Sequence, residues 1–212
     1  MDGVIVHSMP FHTRAWIEYL AGKGVDPNAL NSRMHGKHND ELIREFFGHH
    51  LSTDELRTMG EEKEAVYRRL IEPVLEESLV PGIRSFLAQH QARPKAVASN
   101  AEPRNVRFIL EQAKLGDYFL AALDGYQVEF GKPHPEIYCK AAAALGVPPA
   151  SCLVFEDSQT GIDAALAAGM TVVAVNTNRV RLTGWALEIE NFLDPQLKPW
   201  LASAQSSSLS SA

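Results

Sequence analysis

Residues 152–157 read Cys-Leu-Val-Phe-Glu-Asp, an apolar run that stops at two adjacent carboxylates, Glu156 and Asp157. Pro148 and Pro149 precede it, and Ser158-Gln159-Thr160-Gly161 leads on into an alanine-rich stretch ending at Ala168. A short apolar run between a proline turn and a polar step predicts a buried strand. The composition beyond it predicts a helix. Acids at the carboxyl end of such a strand sit where open α/β sheets bind ligands. Two like charges this close call for a counter-charge, and a divalent cation supplies one. Acids placed to complement a helix N-terminus account for the same pair without a metal.

The pattern continues outward from this unit. Ala96-Val97-Ala98 predicts a short strand ending at Ser99-Asn100, and residues 120–123 and 172–175 predict two more. Helical composition fills 83–90, 106–113, 136–145 and 162–168. Strands alternating with helices of this length predict an α/β fold with a parallel sheet covered on both faces. Before Pro81-Gly82 the pattern is helical. Phe11, Ala15, Trp16, Tyr19 and Leu20 recur at helical spacing, as do Leu42, Ile43, Phe46 and Phe47 after Asn39, which reads as an N-cap. Ser52-Thr53-Asp54-Glu55 has the form of a capping box, and Pro73 is expected to bend or end the helix it opens. Ser203–Ala212 is serine-rich and is predicted to be disordered.

Composition narrows the class. A chain of 212 residues can bury one core plus a small accessory domain. A net charge of −6 leaves no basic stripe, so nucleic acid is not an expected partner. The eight histidines show none of the spacings of a zinc site. No apolar run is long enough to span a bilayer and none has the form of a signal peptide, so no membrane partner is expected. Cys139 and Cys152 read as reduced core residues of a cytoplasmic protein, expected to be a monomer.

Four places carry chemistry, each at a predicted strand end or at the chain start: Met1–Ser8, Ser99-Asn100, Gly131-Lys132-Pro133 and Glu156-Asp157. A lysine neutralises phosphoryl oxygens, a serine and backbone N–H groups donate to them, and paired acids hold an ion. Singly, each has a plainer reading: Asp2-Gly3 as a turn, Ser99 as a helix cap, Lys132 as a solvated loop lysine. Together, and in this order, they point to one pocket for a phosphate and Mg²⁺.

The segments MDGVIVHS, SNAEPRNV, GKPHPEIY and FEDSQTGIDAA resemble the motifs of the haloacid dehalogenase superfamily, in the subgroup similar to β-phosphoglucomutase, over about residues 1–180. The resemblance implies a Rossmann-like core from residues 1–9 and 80–200. It also implies a helical cap over 10–79, inserted after the first motif and closing over the substrate, with 201–212 as a tail. It implies an aspartate nucleophile that forms an aspartyl-phosphate, a second acid that protonates the leaving oxygen and then activates the acceptor, and Mg²⁺ to offset charge. Asp2 matches the acid/base, and its carbonyl a Mg²⁺ ligand. Ser99 and Lys132 match the phosphate holders, with Asn100 beside the substrate, and Glu156 and Asp157 match the metal carboxylates. In the cap, His12 matches a histidine near the acid/base. Gly36-Lys37-His38-Asn39 falls on the substrate-specificity loop, and Lys63 falls near a lysine that contacts substrate.

The departures shape the expected function. The family pattern is Asp-x-Asp-Gly and the chain opens at its x, so the nucleophile is expected just upstream of Met1. The strand carrying it is central in the family, and its absence leaves two unpaired edges. A start assigned too late is the expected reason; a catalytically inactive truncated homologue is the alternative. Asn39 stands where the mutases place an arginine that grips a second phosphate, and a neutral amide cannot make that bidentate contact. The expected function is therefore a Mg²⁺-dependent phosphatase acting on a small phosphorylated sugar or related ester, with a sugar-phosphate mutase as the nearest variant. A dinucleotide-binding enzyme is disfavoured because no Gly-x-Gly-x-x-Gly follows a strand.

Overall fold

The computed structural model describes residues 1–30 and 39–209. Gly36, Lys37 and His38, expected on the specificity loop, lie outside these. The chain forms two compact units, Met1–His7 with Leu79–Ala212, and Ser8–Ser78.

The second unit is helical. It contains α1 (Met9–Gly22), a 3-10 turn at Pro27–Ala29, α2 (Asn39–Phe47) and α3 (Thr53–Ile71). Its core gathers Trp16, Tyr19 and Leu20 of α1 and Leu42 and Ile43 of α2, which helical spacing aligns on one face of each, together with Leu56 of α3. The capping box forms as expected: Ser52 accepts from the Glu55 N–H, and the Glu55 carboxylate accepts from the Ser52 N–H at 2.8 Å. The α3 helix stops at Ile71, two residues before Pro73. Asn39 departs from the expected N-cap role. It is the first residue of α2, and its side-chain amide donates to Glu64 Oε1 at 2.8 Å, because that buried carboxylate offers a stronger acceptor than solvent.

The other unit is the α/β part. It comprises α4 (Ile83–Gln89), β1 (Ala96–Ala98), α5 (Pro103–Gln112), β2 (Ala121–Leu123), α6 (Glu136–Leu145), β3 (Leu153–Glu156), α7 (Gln159–Ala167), β4 (Thr171–Val175), β5 (Leu187–Ile189) and α8 (Leu197–Leu209). Every ladder is parallel: β1 with β2 (Val97 opposite Ala122), β3 with β4 (Val154 opposite Val172), and β4 with β5 (Ala174 opposite Glu188). Among the described residues the strands fall into two sheets, β1-β2 and β3-β4-β5. The core packs Ile137, Tyr138 and Ala142 of α6 with Ile162, Ala164 and Ala165 of α7 against Val154, Val172 and Ala174. Small alanines on both helices let them lie close to the sheet.

Two elements depart from the sequence reading. Leu187–Ile189 pairs as β5 although three residues are too few for periodicity to register. The α8 helix covers Ser203–Leu209, where disorder was predicted. Serine is a middling helix former and the run holds no glycine or proline to stop it.

Candidate active site

The Glu156-Asp157 pair sits where β3 turns into α7. Glu156 is buried, and both its oxygens are engaged. Oε1 accepts from the Lys132 ammonium at short range and from Tyr138 Oη at 2.8 Å. Oε2 accepts from the Asp157 N–H at 2.9 Å, the Ser158 N–H at 3.1 Å and Ser158 Oγ at 3.0 Å. Ser158 in turn caps α7, accepting from the Gly161 N–H at 3.1 Å. A side chain at 161 is excluded by the carboxylate lying over it, since a Cβ there would stand 2.0 Å from Glu156 Cδ. Burial raises the Glu156 pKa, but the Lys132 ammonium and these donors outweigh it and hold the group at about 2. Glu156, expected among the metal carboxylates, is thus the hub that fixes Lys132 and the α7 turn.

Lys132 ties the strands together. Its Nζ also donates to the Ala98 carbonyl at the end of β1, at 3.2 Å, and its backbone N–H meets Asn100 Oδ1 at 3.4 Å. The β1 and β3 strands therefore deliver their carboxyl ends to a single ammonium. Ser99, next after β1, is buried; its Oγ accepts from the Ala101 N–H at 3.2 Å.

Asp157 lies against the start of the chain. A Cβ on Gly3 would fall 1.9 Å from Asp157 Oδ2, and Gly3 has φ of +64°, so both space and backbone call for glycine there. The Met1–Val6 segment closes a tight turn, with the Ile5 N–H on the Met1 carbonyl at 2.7 Å. Thr177 Oγ1, beyond β4, holds the Gly3 carbonyl at 3.0 Å, and Asn178 donates to Asp157 Oδ2 at 3.2 Å. Burial, then the neighbouring Glu156, push the Asp157 carboxyl up to about 7, with Asp2 adding to the rise and the Met1 ammonium and Lys132 opposing it. Asp2, Lys132, Glu156 and Asp157 thus share one electrostatic neighbourhood.

Three acids, Asp2, Glu156 and Asp157, gather there with Lys132 and the Met1 ammonium. Among the described residues, no group of three His, Cys, Asp or Glu side chains is placed to hold a metal alone. Mg²⁺ commonly takes one or two carboxylates and completes its shell with water and substrate oxygens, so a site for it need not show three such side chains.

His12, Asn39 and Lys63 come together within the helical unit. Lys63 is 1% exposed, which excludes the plain surface role a mid-helix lysine would suggest. Its ammonium lies 2.7 Å from Glu64 Oε1 and 3.1 Å from His12 Nδ1, and sits 5.2 Å above the Trp16 ring. His12 stacks on Tyr67 with ring centroids 3.8 Å apart.

Tyr138, Ser158, Asn178 and Glu64 were missed by the sequence reading. Tyr138 closes the GKPHPEIY segment and Asn178 follows β4, so polar residues just beyond strands and motifs were the available signal. Glu64 offered none, because its importance lies in partners from two other helices.

Comparison with known proteins places the chain in a family. The haloacid dehalogenase-like hydrolase family matches residues 1–169. The chain belongs to that family, and its fold is the family's α/β Rossmann-like one. It is 31% identical to β-phosphoglucomutase of Bacillus subtilis over 192 residues, covering 86% of this chain and 83% of that protein. It is 33% identical to the fructose-1-phosphate phosphatase YqaB of Escherichia coli over 178 residues, covering 82% and 93%. The crystal structure of β-phosphoglucomutase from Clostridium difficile superposes with a TM-score of 0.77 at 26% identity, covering 93% and 92% of the two chains. Family and relatives together define a phosphohydrolase or phosphomutase.

Proposed function

We propose that the protein is a Mg²⁺-dependent phosphatase acting on a small phosphorylated sugar or a related phosphate monoester through an aspartyl-phosphate. The observation that carries this reading is the Lys132 ammonium, which joins the end of β1 to Glu156 and stands in the same charged neighbourhood as Asp2 and Asp157. A lysine so held has a fixed place from which to meet phosphoryl oxygens. Ser99 and Asn100, one and two residues beyond β1, add donors. A Mg²⁺ held by the Glu156 and Asp157 carboxylates and the Asp2 carbonyl would offset the charge of the phosphoryl group.

In the family pattern Asp-x-Asp-Gly the attacking carboxylate belongs to the aspartate two places ahead of the acid/base. Its oxygen forms a bond to phosphorus as the ester oxygen leaves, and Asp2 supplies the proton that oxygen takes up. Asp2, now a carboxylate, removes a proton from water, which attacks phosphorus and returns phosphate and the free aspartate. We assign substrate contacts in the helical unit to His12, Asn39 and Lys63. A cytoplasmic location with Cys139 and Cys152 as thiols goes with this reading.

Asn39 favours the phosphatase over the mutase. Its amide donates to Glu64, and a neutral group beside a carboxylate is a poor seat for a second phosphate. The test is phosphate release from a panel of sugar phosphates with and without Mg²⁺, using the chain preceded by an aspartate and, alongside it, the chain beginning at Met1. Release by the first, lost on chelation, is expected. No release from any sugar phosphate would overturn the reading, and interconversion of sugar phosphates without release would assign the mutase.

A further inference from the structure

The connection from β4 to β5, residues 176–186, is pinned along its length. The Asn176 side chain closes a ring on Val180, accepting from its N–H at 2.9 Å and donating to its carbonyl at 2.8 Å. The same amide reaches Glu188 Oε1 at 3.3 Å. Further on, Gln159, the first residue of α7, grips Thr183 by both backbone groups. Its Oε1 accepts from the N–H at 2.9 Å, and its Nε2 donates to the carbonyl at 3.2 Å. Inside the ring Arg179 holds φ at +53°, a left-handed conformation that is strained for a bulky residue. Surrounding contacts must impose such a backbone, and strain of this kind gathers at functional sites. The turn aims two adjacent side chains at the pocket. Thr177 Oγ1 donates to the Gly3 carbonyl at 3.0 Å, and Asn178 Nδ2 donates to Asp157 Oδ2 at 3.2 Å.

We propose that Thr177 and Asn178 are positioning residues for Mg²⁺, each fixing one of the segments that would hold the ion. The inference rests on the reading that Glu156, Asp157 and the Asp2 carbonyl bind it. The Asp157 carboxylate is free to turn about its bond to Cβ unless one oxygen is held, and Asn178 holds Oδ2. The Asp2 carbonyl belongs to the peptide that ends at the Gly3 N–H. That N–H donates to the Val6 carbonyl at 2.8 Å, and Thr177 holds the Gly3 carbonyl, so the peptide is fixed on its far side by two bonds. An amide and a hydroxyl suit this task. They orient oxygens without a full positive charge, whereas the Lys132 ammonium on Glu156 competes with a cation. Oxygens set in place beforehand lose little freedom when the ion arrives, and outer partners of this kind raise metal affinity.

The probe is Mg²⁺ alone, titrated into the 212-residue chain and followed by the rise in melting temperature. Thr177→Val keeps the shape of the side chain and loses the hydroxyl. Asn178→Leu keeps its size and loses the amide. Each is expected to need about tenfold more Mg²⁺ for half of the rise, while melting as the wild type does in EDTA. Thr177→Ser, which keeps the hydroxyl and loses the methyl group, should take up Mg²⁺ as the wild type does; a packing role for residue 177 gives the reverse order. Wild-type affinity in Thr177→Val and Asn178→Leu would overturn the proposal and leave the metal reading intact. So would a weakening in Thr177→Ser as large as in Thr177→Val, or affinity lost only in step with the melting temperature in EDTA. A wild type that gains nothing from Mg²⁺ would fail the metal reading itself, and this inference with it.

Discussion

Lys132 and Glu156 show how a single pair organises this site. Their side chains are 8% and 6% exposed, so each ion depends on the other for its solvation. Breaking such a pair strands a buried charge and costs about 3–5 kcal/mol, whereas replacing both partners costs far less. Lys132→Met should therefore lower the urea midpoint of the 79–212 unit strongly, and Lys132→Met with Glu156→Gln should recover a large part of the loss. A double variant no more stable than the single would show that the pair is not what holds the β3–α7 turn. The sequence made Lys132 and Glu156 candidates through their motifs. It did not reveal that Glu156 serves five donors, because those come from Lys132, Tyr138 and the α7 turn, brought together only by folding.

Helices α1, α2 and α3 meet at Glu64. Burial alone would raise its pKa, but Lys63, His12 and Asn39 reverse that and hold it at about 2, against an ordinary value of 4.5. The unfolded chain thus binds this proton more readily than the folded one below pH 4.5. The stabilisation is fully present above that value and disappears as pH falls toward about 2. A shift of that size corresponds to roughly 3 kcal/mol. Melting curves of the wild type and Glu64→Gln should therefore differ most at neutral pH and converge as the pH drops through this window. A gap that stays constant down to the acid limit would count against the charge network. Local order in these helices was readable: the Ser52–Glu55 box needs only four neighbouring residues. The network was not, since residues 12, 39 and 63–64 are separated by tens of positions.

Each of the two units of the chain has a core of its own. Trp16 is 1% exposed at the centre of the helical one, and truncating a buried aromatic costs about 3–5 kcal/mol. Trp16→Ala is expected to speed amide exchange throughout 8–78 while Val172–Val175 of β4 stays protected. Loss of protection in both units together would refute separate cores. The sequence by itself determined the order of helices and strands up to β4, the Ser52–Glu55 cap, and the residue types at the strand ends, since hydrophobic period and capping chemistry act over a few neighbouring positions. Only the tertiary structure decided which oxygens Lys132 binds, how Glu64 keeps its charge, and that the parallel strands stand as two sheets. Those outcomes depend on contacts among residues far apart in the chain, and short-range pattern carries no record of them.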